Sequence, residues 1–315
     1  MPSSTRAFGS AEALAEKSRE AAPDTLLQAA GARRRLWGGA ARLFADWATL
    51  TGVVLVGLFV VSAAFAPLFA RFDPNQMHFD DASQPPGARY WFGTDWAGRD
   101  IYSRVVYGGR VSLAVSFISG FIALLIGVPL GLAAGYYGGV LDEMIMRLVD
   151  TIYSFPFIVL AIAAMAFLGQ SLWNVMLVLG IVSWVDYARI VRAEVLSVRA
   201  EPYIEAARAL GLADGRILWR HVLPNVVGPV VVYVTLNIPQ YIIAEAALSF
   251  LGLGAQPDLV TWGNILNRGR EAVMRGEWWV TAFPGLAISL TVVGFNLLGD
   301  GLRDLLLRRR TARNV

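Results

Sequence analysis

Long apolar runs separated by polar segments dominate the hydrophobic pattern of this chain. A bilayer core of about 30 Å is crossed by about 20 apolar residues in a helix. Runs of sufficient length lie roughly at 48–70, 111–135, 145–169, 171–191, 226–253 and 281–299. The pattern therefore predicts an all-α integral membrane protein with six transmembrane helices.

The composition agrees with this class and narrows the chemistry. Of the 315 residues, 56% are hydrophobic and 16% are charged, whereas about a quarter of the residues of soluble domains are charged. Cysteine is absent and histidine occurs only at 78 and 221. Because a metal cluster needs several such ligands, we expect no bound metal, and the small net charge favours a lipid bilayer over nucleic acid as the partner.

Arginine residues are concentrated at both ends of the apolar region. Arg33–Arg35 precede the first run, and several arginines follow the last. Since cytoplasmic segments carry an excess of arginine and lysine, we expect a multi-pass protein with both termini in the cytoplasm. The predicted organisation is a tail at 1–45, a membrane domain at 46–307 with external segments at 71–110 and 254–280 and a cytoplasmic loop at 192–224, and a basic tail at 308–315.

Sequence motifs of membrane enzymes and nucleotide-binding proteins do not occur in this chain. Lys17 is the only lysine, so a phosphate-binding loop ending in Gly-Lys-Ser/Thr is impossible. A transport role without catalysis is therefore expected. Candidates for the ionisable residue that an ion-coupled transporter needs within its spans are few, namely Asp150, Asp186, Glu245 and Asp300. Only Glu245 is predicted to lie deep, either lining a water-filled path or pairing with a hydroxyl or amide of a neighbouring helix.

Two patterns of small residues suggest close approach of helices. Gly127, Gly131 and Gly135 lie on one face of the second span and predict either packing within the chain or a groove for another helix. Three residues before the polar stretch EAARALGLADGRILWRHVLP at 205–224, Pro202 suits a first helical turn. Within the stretch, Gly211 suits a tight turn and Asp214 the cap of a second helix ending before Pro224. This stretch predicts a helix–turn–helix elbow. An amphipathic helix on the inner leaflet is the alternative.

The same stretch resembles the EAA loop of permease subunits of bacterial ABC importers, whose pattern is EAA, three residues, Gly, nine residues, Ile, one residue and Leu-Pro. His221 stands where the general pattern has Ile, and RHVLPN resembles the dipeptide, oligopeptide and nickel branch. FGTDWAGRDIYSR at 92–104, EAALSFLGLG at 245–254 and GDGLRD at 299–304 also resemble that branch, specifically the second of its two paired permeases. The resemblance covers about 45–307.

The resemblance implies that the elbow is a cytoplasmic coupling helix, which docks on a separate ATPase subunit. The docking residues it implies are Glu205, Ala206, Ala207, Gly211, Leu223 and Pro224. It further implies a bacterial inner-membrane location, a second homologous permease, one or two ATPase subunits, an extracytoplasmic substrate-binding protein and a peptide substrate. No cofactor is expected on this chain, because ATP and magnesium belong to the ATPase.

Just before the second span, a further group of residues is expected to shape an outer gate or a platform for the binding protein: Gly93, Thr94, Asp95, Gly98, Arg99 and Asp100. A capped, salt-bridged turn is the alternative for this group. For the whole chain, the alternatives are a nickel or small-solute importer of the same branch, for which Met77 and His78 are a thin basis, and an ion-coupled secondary transporter.

Overall fold

The fold consists of helices joined by short loops and one long connecting segment. A computed structural model describes residues 46–311, with side chains to residue 306. Its helices are α1 (Trp47–Ala64), α2 (Ala66–Phe69), α3 (Ile101–Tyr137), α4 (Gly139–Tyr153), α5 (Phe157–Leu168), α6 (Leu172–Arg199), α7 (Pro202–Ala209), α8 (Asp214–Ile217), α9 (Leu223–Phe250), α10 (Trp262–Met274) and α11 (Trp279–Thr311), with a 3₁₀ turn at Phe79–Asp81 and a π turn at Leu218–Val222. The described residues form no β-strand, and the all-α prediction is confirmed. The predicted tail at 1–45 lies outside the described residues.

Five helical segments are long and apolar enough to cross a membrane: Trp47–Ala64, Ile101–Tyr137, Leu172–Arg199, Asp214–Phe250 and Trp279–Leu306. The run predicted as the third span, 145–169, is divided between α4 and α5, whose axes are bent by 84°. The break lies at Pro156, because a proline disfavours helical geometry in the residue before it. The described residues therefore contain five candidate spans, or six if the bent pair counts as one.

One helix begins earlier than the hydrophobic pattern indicated. α3 starts at Ile101, within the segment expected to be external, and Asp100 caps it by accepting a hydrogen bond from the Ser103 amide at 2.8 Å. The polar residues of its first turns are buried against the rest of the protein, which is why hydropathy alone placed the start later.

The most extensive contact between two helices is that of α3 with α6, which meet through the glycine face of α3. A Cβ atom at Gly131 would lie 2.6 Å from the Ala188 carbonyl oxygen, and one at Gly127 would lie 2.5 Å from that of Trp184. Gly180 on α6 makes the reciprocal approach, since a Cβ there would lie 2.6 Å from Cβ of Ile122. The glycine face thus packs within the chain, as the packing alternative predicted.

The bundle has two distinct ends, which are defined by the two ends of α3. At one end, the segment 70–100, α10 and the residues between α10 and α11 form a cap. Trp279 Nε1, at the start of α11, donates to the Thr94 carbonyl at 3.0 Å, and the Ser83 hydroxyl donates to Glu277 at 2.8 Å. A hydrogen bond from Arg275 holds the pKa of the Glu277 carboxyl below its usual value. At the other end, the Tyr136 hydroxyl donates to Asp214 at 2.7 Å.

Replacing Gly131 with Ala tests the closeness of the α3–α6 contact. The added methyl group would overlap the Ala188 backbone, so we expect a loss of about 1–3 kcal/mol in stability. Gly285 on α11 is a matched control, because a Cβ there meets nothing within 4 Å, and Gly285→Ala should be neutral or stabilising by up to about 1 kcal/mol. Thermal unfolding in detergent measures both. Equal melting temperatures for the two variants would contradict the contact.

Candidate functional site

The predicted elbow is present, with α7 as its first helix. Pro202 opens α7, and Gly211 follows the helix end with a φ of +75°. The Leu212 amide donates to the Ala207 carbonyl at 3.2 Å, and the Gly211 amide donates to that of Arg208 at 2.9 Å. These two bonds form a Schellman motif, in which the residue after the helix adopts the left-handed conformation that glycine favours.

The second half of the elbow differs from the prediction in two respects. Asp214 is the first residue of α8, while Ala213 occupies the capping position. The second helix does not end before Pro224 but continues into α9 through the π turn, where the Leu223 amide bonds to the Leu218 carbonyl. A π turn widens the helix locally. Because Pro224 lacks an amide donor, the widened turn lets the helix pass a residue that was expected to end it.

Burial divides the predicted docking residues between two faces. Glu205, Ala206, Gly211 and Pro224 are exposed and Leu223 is half-buried, whereas Ala207 is buried against the bundle. Two large apolar side chains outside the predicted docking set are also exposed, namely Leu210 at 80% and Trp219 at 70%. Exposed apolar side chains on a loop that is otherwise charged are typical of a contact surface.

A hydrophobic cluster fixes the elbow to the bundle. Ile204, Ile217 and Val222 are fully buried, and they pack with side chains of α3 and α6, including Tyr136 and Val195. The Arg208 guanidinium lies over the Tyr136 ring, 5.1 Å from its centroid, instead of pairing with Glu205. Motion of the elbow would therefore be transmitted directly to these two long helices.

The group predicted to shape an outer gate or platform lies within the cap. All of its residues are buried: Gly93, Thr94, Asp95, Gly98, Arg99 and Asp100. Arg99 Nε pairs with Asp95 at 2.7 Å, which is the geometry of the salt-bridged turn. The side chains that this turn exposes are Trp91 and Trp96, each about half accessible. A role for this segment as a gate or platform stays a prediction, and any contact with a partner would be made by those tryptophans.

Glu245 lies near the C-terminal end of α9 and is fully buried, with an exposure of 0%. One carboxylate oxygen accepts a hydrogen bond from Ser112 of α3 at 2.9 Å, and the other accepts from Ser249 of α9 at 2.8 Å. This is the alternative in which Glu245 pairs with a hydroxyl of a neighbouring helix. The carboxylate joins α3 to α9 and thus has a packing role. A path role for Glu245, in which it lines a water-filled path, stays a prediction.

A cavity of about 440 Å³ opens elsewhere, between the α4–α5 bend and the middle of α6, α9 and α11. Its lining includes Tyr153, Asp186, Asn237 and Gln240. The sequence identified Asp186 as an ionisable residue of the spans, but its position in a cavity is visible only in the structure. The described residues contain no group of three or more His, Cys, Asp or Glu side chains that could hold a metal ion.

Comparison with known proteins decides the family. Residues 127–312 match the family of the binding-protein-dependent transport system inner membrane component, and residues 35–86 match the N-terminal TM domain of oligopeptide transport permease C. The chain belongs to the binding-protein-dependent transport permeases. This permease is thus a non-catalytic subunit of an ABC importer, as the EAA resemblance implied, and an ion-coupled mechanism is no longer needed to explain it.

Similar proteins are named for peptide transport. The permease is 44% identical to the dipeptide transport system permease protein DppC of Alkalihalophilus pseudofirmus, over 82% of this chain and 84% of the relative. It is 46% identical to the glutathione transport system permease protein GsiD of Escherichia coli O157:H7, over 82% and 85%. Among solved structures, the MetNI methionine ABC transporter in an inward-facing conformation matches with a TM-score of 0.53 at 22% identity, over 64% of this chain and 95% of that one, which shows the fold alone.

Two replacements of Glu245 separate the packing and path roles. Glu245→Leu leaves the Ser112 and Ser249 hydroxyls without their acceptor, and we expect a loss of about 1–3 kcal/mol in stability. Glu245→Gln keeps an acceptor oxygen, so stability should change little. Melting temperature and substrate uptake by the assembled importer are the measurements. Uptake lost in Glu245→Gln at unchanged stability would favour the path role over packing.

Proposed function

We propose that this permease forms half of the translocation pore of an importer for dipeptides or other short peptides. The observation that carries the proposal is the 44% identity to a dipeptide permease over 82% of the chain. Similarity to glutathione permeases and the match of the N-terminal region to an oligopeptide permease domain support the same substrate class. A nickel importer of the same branch is the alternative, and no residue cluster among those described favours it.

The elbow is proposed to be the coupling helix that docks on the ATPase, which binds the ATP and magnesium. Its exposed face combines the Glu205 and Ala206 surface with Leu210 and Trp219, so the two large apolar side chains would enter a groove of the partner. Ala207 faces the bundle, and its role would be to hold α7 on α3 and α6. The elbow would then pass the closure of the ATPase to the spans.

The family and the charge pattern support a proposal for the remaining parts of the assembly. A second homologous permease would complete the pore, and an extracytoplasmic binding protein would deliver peptide at the capped end. The arginine-rich ends of the chain favour an orientation with both termini and the elbow in the cytoplasm. The cap, at the opposite end of α3, would then face outward.

Docking is tested by a matched pair of glycine replacements. Gly211 and Gly215 both have open space for an added side chain, since a Cβ at either position would meet nothing within 4 Å, but only Gly211 has positive φ. Gly211→Val should strain the turn by about 1–2 kcal/mol and displace α7. We expect co-purification of the ATPase to fall with Gly211→Val and to persist with Gly215→Val. Normal ATPase recovery with Gly211→Val would refute the proposed role of the turn.

The substrate class is tested by uptake. Proteoliposomes containing the assembled importer, with its binding protein outside and ATP inside, should accumulate a radiolabelled dipeptide. The same vesicles with a binding-protein-free medium or without ATP serve as controls. Accumulation of nickel in place of dipeptide would reject the peptide assignment while leaving the importer assignment intact.

A further inference from the structure

The cavity beside the α4–α5 bend has the polarity and position of a ligand site. Its volume of about 440 Å³ lies within the usual range for small-molecule pockets. It is partly open, and Asp186, Asn237 and Asn296 place it near the middle of α6, α9 and α11. Ligand sites of membrane transporters commonly lie at this depth.

The carboxylate of Asp186 lacks a neutralising cation within ion-pair distance. Its one described hydrogen bond comes from the Tyr153 hydroxyl. Arg189, on the next turn of α6, pairs instead with Asp150 at 2.8 Å and lies 4.1 Å from the centroid of the Tyr153 ring. Across residues 46–306, no ion pair reaches Asp186. A charge within membrane spans is costly unless a partner or water compensates it, so this carboxylate is suited to a cationic ligand.

Amide side chains provide the remaining recognition chemistry. Gln240 and Asn296 line the cavity and are exposed on the surface of their helices. An amide offers both a donor and an acceptor, and so it complements a peptide group. Exposed amides in the middle of apolar helices are unfavourable against lipid. This face is therefore better explained as the wall of a polar path than as a lipid-facing surface.

We propose that the cavity is a peptide-binding station in the translocation path, where Asp186 receives the N-terminal ammonium group and the amides of Gln240 and Asn296 bind the peptide backbone. This inference rests on the proposed peptide substrate. The ammonium group supplies three N–H donors and a positive charge in direct contact with the carboxylate, which Arg189 does not provide. A peptide with an acetylated N-terminus lacks that charge and should bind more weakly.

The test uses the complete importer in nanodiscs without binding protein, so that only its own sites are measured. Alanyl-photoleucine labels the site on illumination, and mass spectrometry maps the labelled residues. We expect alanyl-alanine to block labelling of the cavity at a concentration about tenfold lower than N-acetyl-alanyl-alanine requires, as for one charge-assisted hydrogen bond. Equal blocking by the two competitors, or labelling only outside the cavity, would overturn the proposal.

Variants of Asp186 test whether this residue causes the preference for a free N-terminus over an acetylated one. Asp186→Asn should remove the advantage of the free N-terminus, and Asp186→Glu should retain most of it. Glu143→Gln is the matched control, because Glu143 pairs with Arg147 on the exposed side of α4 and does not line the cavity. Undiminished discrimination in Asp186→Asn would contradict the role of Asp186. If Asp186→Asn does not assemble, the comparison of the two competitors on the wild type and on Asp186→Glu still tests the proposal. Equal blocking by the two competitors would contradict it.

Dipeptide uptake by the wild-type importer with its binding protein separates the two proposals. If uptake occurs but the cavity shows no preference for the free N-terminus, the binding station is wrong and the peptide function stands. If the wild type takes up no peptide, the proposed function is wrong and the station proposal falls with it.

Discussion

The close approach of α3 and α6 is the constraint on which the rest of the structure depends. Glycines on both helices bring the backbones together, with no room for a methyl group at Gly131 or Gly180. In a bilayer, apolar side chains gain little by leaving lipid, so helices associate through such close packing instead. α3 reaches from the cap to the elbow, and its contact with α6 makes these two helices the frame that joins both ends of the protein.

Both ends of this frame are tied by polar contacts that apolar packing does not provide. At the elbow end, Arg192 of α6 makes two hydrogen bonds to Asp142 of α4, at 2.5 and 2.7 Å, so the first half of the bent pair is linked to the frame. At the cap end, Trp262 Nε1 donates to the Val105 carbonyl of α3 at 2.8 Å. A displacement of the elbow would therefore reach the α4–α5 pair through the Arg192–Asp142 hydrogen bonds, and the cap through the Trp262–Val105 hydrogen bond.

The sequence predicted those features whose signals are local. Apolar runs predicted six spans, of which five are single long helices in the structure, and Pro202 and Gly211 predicted the elbow, because a turn depends on a few adjacent residues. The bend at Pro156 was not predicted, since a proline in an apolar run permits a break without requiring one. Burial of the turn around Asp95 depends on residues as distant as Trp279, and the cavity depends on four separate parts of the chain. No local pattern encodes such contacts.

Two acidic residues of the spans illustrate how surroundings, rather than residue type, decide a role. Hydropathy favoured Glu245 because apolar residues flank it, yet two hydroxyl groups satisfy its carboxylate in a site closed to solvent. Asp186 lies near the middle of α6, but the bend between α4 and α5 opens a cavity beside it, and the nearby Arg189 is engaged by Asp150. The broken span thus both creates the space and, through Asp150, leaves the Asp186 carboxylate without an ion-pair partner, as the proposed binding of a peptide ammonium group requires.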